Sequence, residues 1–261
     1  MLNNTISQAR RAFWLVVLFV FSGCTPVPSN LSVANTDTQV GEVAVGEIGG
    51  DTMPASLRHA RTLKMSKDAA VVVWGTVAGE KVVRGSGTYF SYKRHNIVIT
   101  AYHVYDDPRI EGAMVQSQSG EMVAANILYS NRGRDICVLE VPRMRTVDPA
   151  SLRPMMPMQA DEGLSVLYTG FPGNHQHTEP LTLSGTLAGI DDDHGFVIMQ
   201  SYAWMGSSGS GVFDNRGRYI GVLVALDVDR GLFGPQLQEN IVYVSPVWGV
   251  SLEEIEGLLE D

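Results

Sequence analysis

The residue types in this chain that could carry out nucleophilic chemistry stand at the ends of its apolar runs. The stretch MGSSGSGVFD, residues 205–214, sets Ser207, Ser208 and Ser210 among Gly206, Gly209 and Gly211, between the strand-like runs GFVIMQSYAW and YIGVLVALDV. Glycines so placed shape a loop inside a packed domain. The stretch NIVITAYHVYDD puts His103 where an apolar run ends, and NRGRDICVLEV puts Asp135 just before another begins. A serine hydroxyl is a poor nucleophile at neutral pH. It needs an imidazole to take its proton and a carboxylate to hold that imidazole's tautomer and stabilise its charged form. One serine of the three, His103 and Asp135 supply these groups in the chain order His, Asp, Ser. The opposite order, with a histidine after the serine as in an α/β-hydrolase, is excluded because no histidine follows residue 194.

The elements that must position these groups read as a series of short strands. They are AVVVWGTV, VVRGSGTYFSY, NIVITA, MVAANILYS, ICVLEV, LSVLYTG, LTLSGTLAGI, GFVIMQSY, GRYIGVLVAL and NIVYVSP, separated by Gly, Asn, Asp or Pro. No long amphipathic helix intervenes, so the pattern is all-β, a sandwich or barrel rather than a βαβ sheet. Only the tail SLEEIEGLLE has helical periodicity, with Ser251 as its cap and Leu252, Ile255, Leu258 and Leu259 on one face. Cys137 lies in an alternating strand and reads as a small buried apolar residue. His175, His177 and Glu179 in NHQHTE lack a further ligand at convincing spacing, and DDDH at 191–194 reads as a hairpin turn. No metal or other cofactor is expected.

A chain of 261 residues with 44% hydrophobic residues can bury a full core in one all-β domain. Its formal charge is −9, and without residues 1–23 it has 17 basic against 28 acidic residues, or −11. That balance argues against a nucleic-acid partner, which needs clustered Lys and Arg to neutralise phosphates.

The first 23 residues carry Arg10 and Arg11, an apolar run from Ala12 to Phe21, and small residues before Cys24. This is the layout of a secretory signal, and the run is short for a membrane-spanning helix, which needs about 20 apolar residues. FSGC resembles a bacterial lipobox, with Phe21 where an aliphatic residue is usual. The resemblance implies that residues 1–23 are a lipoprotein-type signal peptide, that Cys24 becomes a lipid anchor to the membrane, and that the protein faces the periplasm from the outer membrane or lies on the cell surface. With Cys24 consumed, Cys137 is the one remaining thiol and no internal disulfide can form. Residues 24–65 read as a flexible tether and lead-in; about 40 such residues span roughly 35 Å.

ITAYHV, RDICVLEV and GSSGSGVFD resemble the T-A-x-H-V, D-I-A-V-L and G-N-S-G-G-P-V-F elements of trypsin-like serine proteases, nearest their bacterial HtrA-type and glutamyl-endopeptidase-type branches. The likeness runs from about residue 69 to 246 and includes RGSGTYF, LYTGFPG and GRYIGVLV. It implies a domain over residues 66–261, a double six-stranded β-barrel split at about 66–150 and 151–250, with a short C-terminal helix; HtrA-type members usually add a PDZ module, but the 15 residues after Pro246 are too few to form one, so none is expected. By the same resemblance Ser208 is the nucleophile, His103 the general base and Asp135 its orienting carboxylate. Gly206 and Ser208 supply the oxyanion-hole amides, and Tyr202, Ala203 and Ala225 wall the substrate pocket. Gly211 stands where the family has proline, and Ser207 where digestive members have an aspartate. The expected activity is cleavage of protein or peptide substrates through an acyl-enzyme. A catalytically silent binding or chaperone-like module of the same fold is the alternative.

Overall fold

The computed structural model describes residues 53–173, 179–231, 234–250 and 252–260. Helix α1 (Ala55–Asp68) leads into β1 (Ala70–Val77), β2 (Glu80–Tyr92), β3 (His95–Thr100), β4 (Gly112–Gln116), β5 (Met122–Asn131) and β6 (Ile136–Val141). These six strands close in the order β1-β4-β5-β6-β3-β2, because β1 pairs with both β4 and β2. The two-residue β7 (Ala150–Ser151) adds in parallel to β2. The second barrel comprises β8 (Ser165–Gly170), β9 (Leu181–Asp191), β10 (Phe196–Gln200), β11 (Gly211–Asp214), β12 (Tyr219–Gly231) and β13 (Gly234–Pro246), closed in the order β10-β13-β12-β11-β8-β9. Helix α2 (Leu252–Glu260) ends the chain. The expected double six-stranded barrel with a C-terminal helix is therefore the architecture found.

Alternation along the strands decides what is buried. Val71, Val73, Val98 and Leu139 fill the first barrel, and Val166, Tyr168, Val197, Met199, Val212, Val242 and Val244 fill the second. Between them, Phe90 of β2 meets Tyr219 edge-on with ring centroids 5.0 Å apart, and Tyr219 lies 5.3 Å from Phe213. Each buried ring contributes roughly 2–3 kcal/mol through lost water contact, so this trio fixes β2 against β11 and β12. Cys137 is fully buried in the first barrel, and its thiol is pushed up to about 12, first by burial and then by the Asp135 charge.

Four elements depart from the sequence reading. Residues 55–65 fall in the expected lead-in, yet they belong to α1, which lies against β7, β8, β9 and β11. The helix buries Thr62 and Ser66 rather than an apolar stripe, and the Ser66 hydroxyl donates to Thr169 Oγ1 at 2.6 Å. Strands β4 and β11 are additional; β11 is short and its glycine-rich entry reads as loop. The expected apolar face of α2 turns Ile255 and Leu259 inward but leaves Leu258 exposed. No helix among the described residues is long and apolar enough to cross a membrane. Residues 1–52, His175, His177 and the Ser251 cap lie outside the described residues.

Candidate active site

Strand register brings the histidine to the carboxylate. Thr100 pairs with Cys137 across the antiparallel β3 and β6, so the residues following Thr100 run beside those preceding Cys137. A short 3-10 turn, Tyr102–Tyr105, carries His103, and its buried Val104 and Tyr105 fasten the turn to the core. Asp135 occupies the left-handed region at φ 51°, a conformation that Asp tolerates better than most side chains. From there Asp135 Oδ1 accepts the His103 backbone N–H at 2.8 Å and Oδ2 meets His103 Nδ1 at 2.7 Å. A carboxylate in this position makes Nδ1 the protonated nitrogen and leaves Nε2 free to accept a proton.

Two consecutive turns shape the serine loop. Ser207 N–H donates to Trp204 O at 2.9 Å and Ser210 N–H to Ser207 O at 3.0 Å. The third positions of these turns are Gly206 and Gly209, with φ 91° and 92°. A positive φ at that position requires glycine in all but rare cases. A Cβ at Gly206 would also lie 2.4 Å from Gly173 N. Met205 O accepts the Gly173 N–H at 2.6 Å, so the N–H of Gly206, trans across the same peptide, points the opposite way. Gly209 N–H bonds Leu223 O at 2.8 Å. The amides of Ser207, Gly209 and Ser210 are thus all bonded, whereas those of Gly206 and Ser208 have no acceptor among the described residues. Two alternate N–H groups left unpaired in one tight loop form a receptor for a developing negative charge.

Burial separates the three serines. Ser207 and Ser210 are fully buried, and Ser208 alone is partly exposed. The loop is tied to the first barrel through Ser86 of β2, whose N–H donates to Ser208 O at 2.7 Å. The Ser86 hydroxyl donates to Gly206 O at 2.7 Å and accepts the Phe171 N–H at 2.8 Å. A Cβ on the neighbouring Gly85 would meet Val104 at 2.7 Å and Ser208 O at 3.1 Å. The residue following His103 and the backbone of Ser208 therefore close on one point of β2. The Ser208 hydroxyl itself has no hydrogen-bond partner among the described residues.

A family model described as the trypsin-like peptidase domain matches residues 85–222, which is more than half of the chain and includes His103, Asp135 and Ser208. The chain belongs to the trypsin-like peptidases. Among solved structures, it is similar to the serine endoprotease from Yersinia pestis at a TM-score of 0.61 and 20% identity, over 78% of this chain and 67% of that one, a likeness of fold. A comparison with curated proteins found no match.

In this trypsin-like peptidase, Gly211 at the usual proline position belongs to the second barrel. It opens β11 and is paired on both sides, to Val222 and to Thr169. Of the pocket-wall residues, Tyr202 is 59% exposed, Ala225 is exposed, and Ala203 is buried in the second-barrel core. The Tyr202 carbonyl accepts the Tyr168 hydroxyl at 2.5 Å, which holds the entry to the serine loop. Among the described residues no cluster of His, Cys, Asp or Glu is placed to hold a metal. Sequence reasoning missed Ser86, Thr100 and Gly173 as loop supports. RGSGTYF and LYTGFPG carry Ser86 and Gly173, but the bonds that use them depend on two barrels meeting. A concavity of about 820 Å³ lined by Lys93, Arg94, Arg143 and Arg145 lies on the first barrel and includes none of the three site residues.

Proposed function

We propose that the chain is a lipid-anchored serine endopeptidase acting on envelope or extracellular proteins. Ser208 Oγ attacks the substrate carbonyl carbon while His103 Nε2 takes its proton. The carbonyl oxygen becomes an oxyanion that accepts from the Gly206 and Ser208 amides, and Asp135 stabilises the imidazolium. The imidazolium then gives its proton to the departing amine, leaving an acyl-enzyme at Ser208. Water, deprotonated by His103, hydrolyses that ester and restores the hydroxyl. Beyond Leu223, which the serine loop bonds, β12 has no partner strand on its β11 side among the described residues, and an extended peptide could lie along that edge.

The observation that carries this reading is the pair of unbonded amides, that of Gly206 and that of Ser208 itself, at the one partly exposed serine of the loop. A second reading, a silent module of the same fold, is favoured by the Ser208 hydroxyl lacking a bond to His103, although such bonds are often long before substrate binds. One experiment tests function and placement together. A fluorophosphonate probe should label the wild type in the membrane fraction of cells. Label should disappear in Ser208→Ala and leave the membrane fraction in Cys24→Ser; a folded wild type that stays unlabelled would support the silent module.

A further inference from the structure

Arg84 stands opposite Trp74 in the β1–β2 pair, with its guanidinium carbon 5.6 Å from the indole centroid. Trp74 is a fixed platform, since its Nε1 donates to Gln116 Oε1 at 3.0 Å and its ring packs against Ala70, Val72 and Phe171. Lys81 Nζ lies 4.8 Å from the same ring, so two cations converge there. Neither has a carboxylate partner among the described residues, in a chain with 28 acidic side chains. The Arg84 Nε is closed off from solvent and has no hydrogen-bond acceptor among the described residues. Burial is the one influence on the Arg84 pKa, lowering it, with no opposing rise from a nearby anion. A desolvated guanidinium donor without an acceptor is costly, and a planar carboxylate is the group that matches its fork.

Arg84 lies close to the support of the serine loop. Residues alternate along β2, so Arg84 projects on the same face as Ser86, whose hydroxyl bonds Gly206 O. It therefore sits two residues, about 7 Å, along the strand from the support of the serine loop. If the acyl half of a peptide follows the free edge of β12 in the second barrel, the other half must leave past β2 in the first.

We propose that Arg84, assisted by Lys81, is a binding subsite for an acidic side chain on the leaving-group half of the substrate. This rests on the proteolytic reading of Ser208, and it names a substrate class, peptides with Asp or Glu shortly after the cleaved bond. Trp74 supplies the flat apolar floor and Arg84 the bidentate donor.

Matched peptides carrying Asp or Glu, or Asn or Gln, at each of the first three positions after the cut test the subsite. At one of those positions the acidic member should be cleaved about tenfold faster in kcat/KM, the scale of a charge-assisted hydrogen bond. Arg84→Met should erase the preference, bringing acidic and neutral peptides within about threefold of each other in kcat/KM, and Arg84→Glu should shift it toward Lys. Raising salt on the wild type should shrink the preference, a measurement that needs no variant to fold. Equal rates for acidic and neutral peptides in the wild type, or a preference that survives Arg84→Met, would overturn the subsite. Fluorescence anisotropy of the same peptides on Ser208→Ala protein separates the two readings. Acid-selective binding that depends on Arg84, with no fluorophosphonate labelling of the wild type, keeps the subsite and removes hydrolysis, and labelling of the wild type without acid selectivity does the reverse.

Discussion

At the residue scale the decisive feature is how Asp135 uses both of its oxygens. One accepts the His103 backbone N–H, which fixes where the turn sits, and the other meets Nδ1, which fixes the ring. Asp135→Asn keeps the shape and one acceptor but puts an NH2 against a ring nitrogen, so the imidazole must carry its proton on Nε2. The expected loss in kcat is about 10⁴-fold, the scale for this change in a Ser-His-Asp triad, with little change in melting temperature; an equal fall in both would mean that Asp135 is a structural residue only. His103, Asp135 and the choice of Ser208 were legible because each lies in a short motif. The amides of Gly206 and Ser208 were named through the resemblance alone, since sequence specifies glycines and not the direction in which a peptide plane faces; that neither has an acceptor among the described residues is visible only in the structure. Burial adds a reason for Ser208 that motif matching lacks, because its neighbours Ser207 and Ser210 are sealed inside.

Strands were legible at the element scale wherever alternation and β-branched residues coincide, as in β1 and β6, whose bounds equal the apolar runs of the sequence. Helix α1 was not, because its buried contacts are Thr62 and Ser66 and it has no side-chain cap at Pro54. The segment between the barrels shows a third pattern. Val141, Met144, Val147 and Ala150 are buried at intervals of three along a strap that bends at Arg145 and Thr146. Glu121 pins it, accepting from the Thr146 hydroxyl at 2.7 Å and from the amides of Arg145 and Thr146, each at 2.9 Å. The Thr146 hydroxyl first, and then the Arg145 amide, hold the Glu121 carboxyl below the usual carboxylate range. A depressed pKa means that this stabilisation is present above the ordinary value and is lost as pH falls through the lowered one. Glu121→Gln should therefore melt below the wild type at neutral pH, and the gap should narrow as the medium becomes acidic. A gap independent of pH would show that the charge of Glu121 has no part in holding the strap.

For the molecule as a whole, net charge gave a poor guide to local surface. The chain carries −9, yet Lys93 and Arg94 from the β2–β3 turn meet Arg143 and Arg145 from the strap around one concavity. Composition cannot show such clustering, because the contributing segments lie some fifty residues apart in the sequence. The site obeys the same rule: His103 and Asp135 belong to the first barrel, Ser208 to the second, and neither barrel alone holds a functional set. Ser86 is the residue that makes one unit of them. It sits on the first barrel, is fully buried, and bonds Ser208 O, Gly206 O and Phe171 N–H, all from the second. Thr100 steadies it by donating to Ser86 O at 2.7 Å. Ser86→Ala keeps the backbone bond to Ser208 but strands a buried N–H at Phe171 and a carbonyl at Gly206, a loss of about 1–3 kcal/mol. Denaturant unfolding should register that loss, whereas Ser91→Ala, at an exposed position of the same strand, should register none. The catalytic effect should exceed the fraction unfolded, because the freed Gly206 carbonyl no longer holds its turn and the amide pair loses alignment. If Ser86→Ala is destabilised to this extent but retains full kcat on a peptide substrate, the barrels position the serine loop through the Ser86 backbone alone, and its hydroxyl serves only to join them.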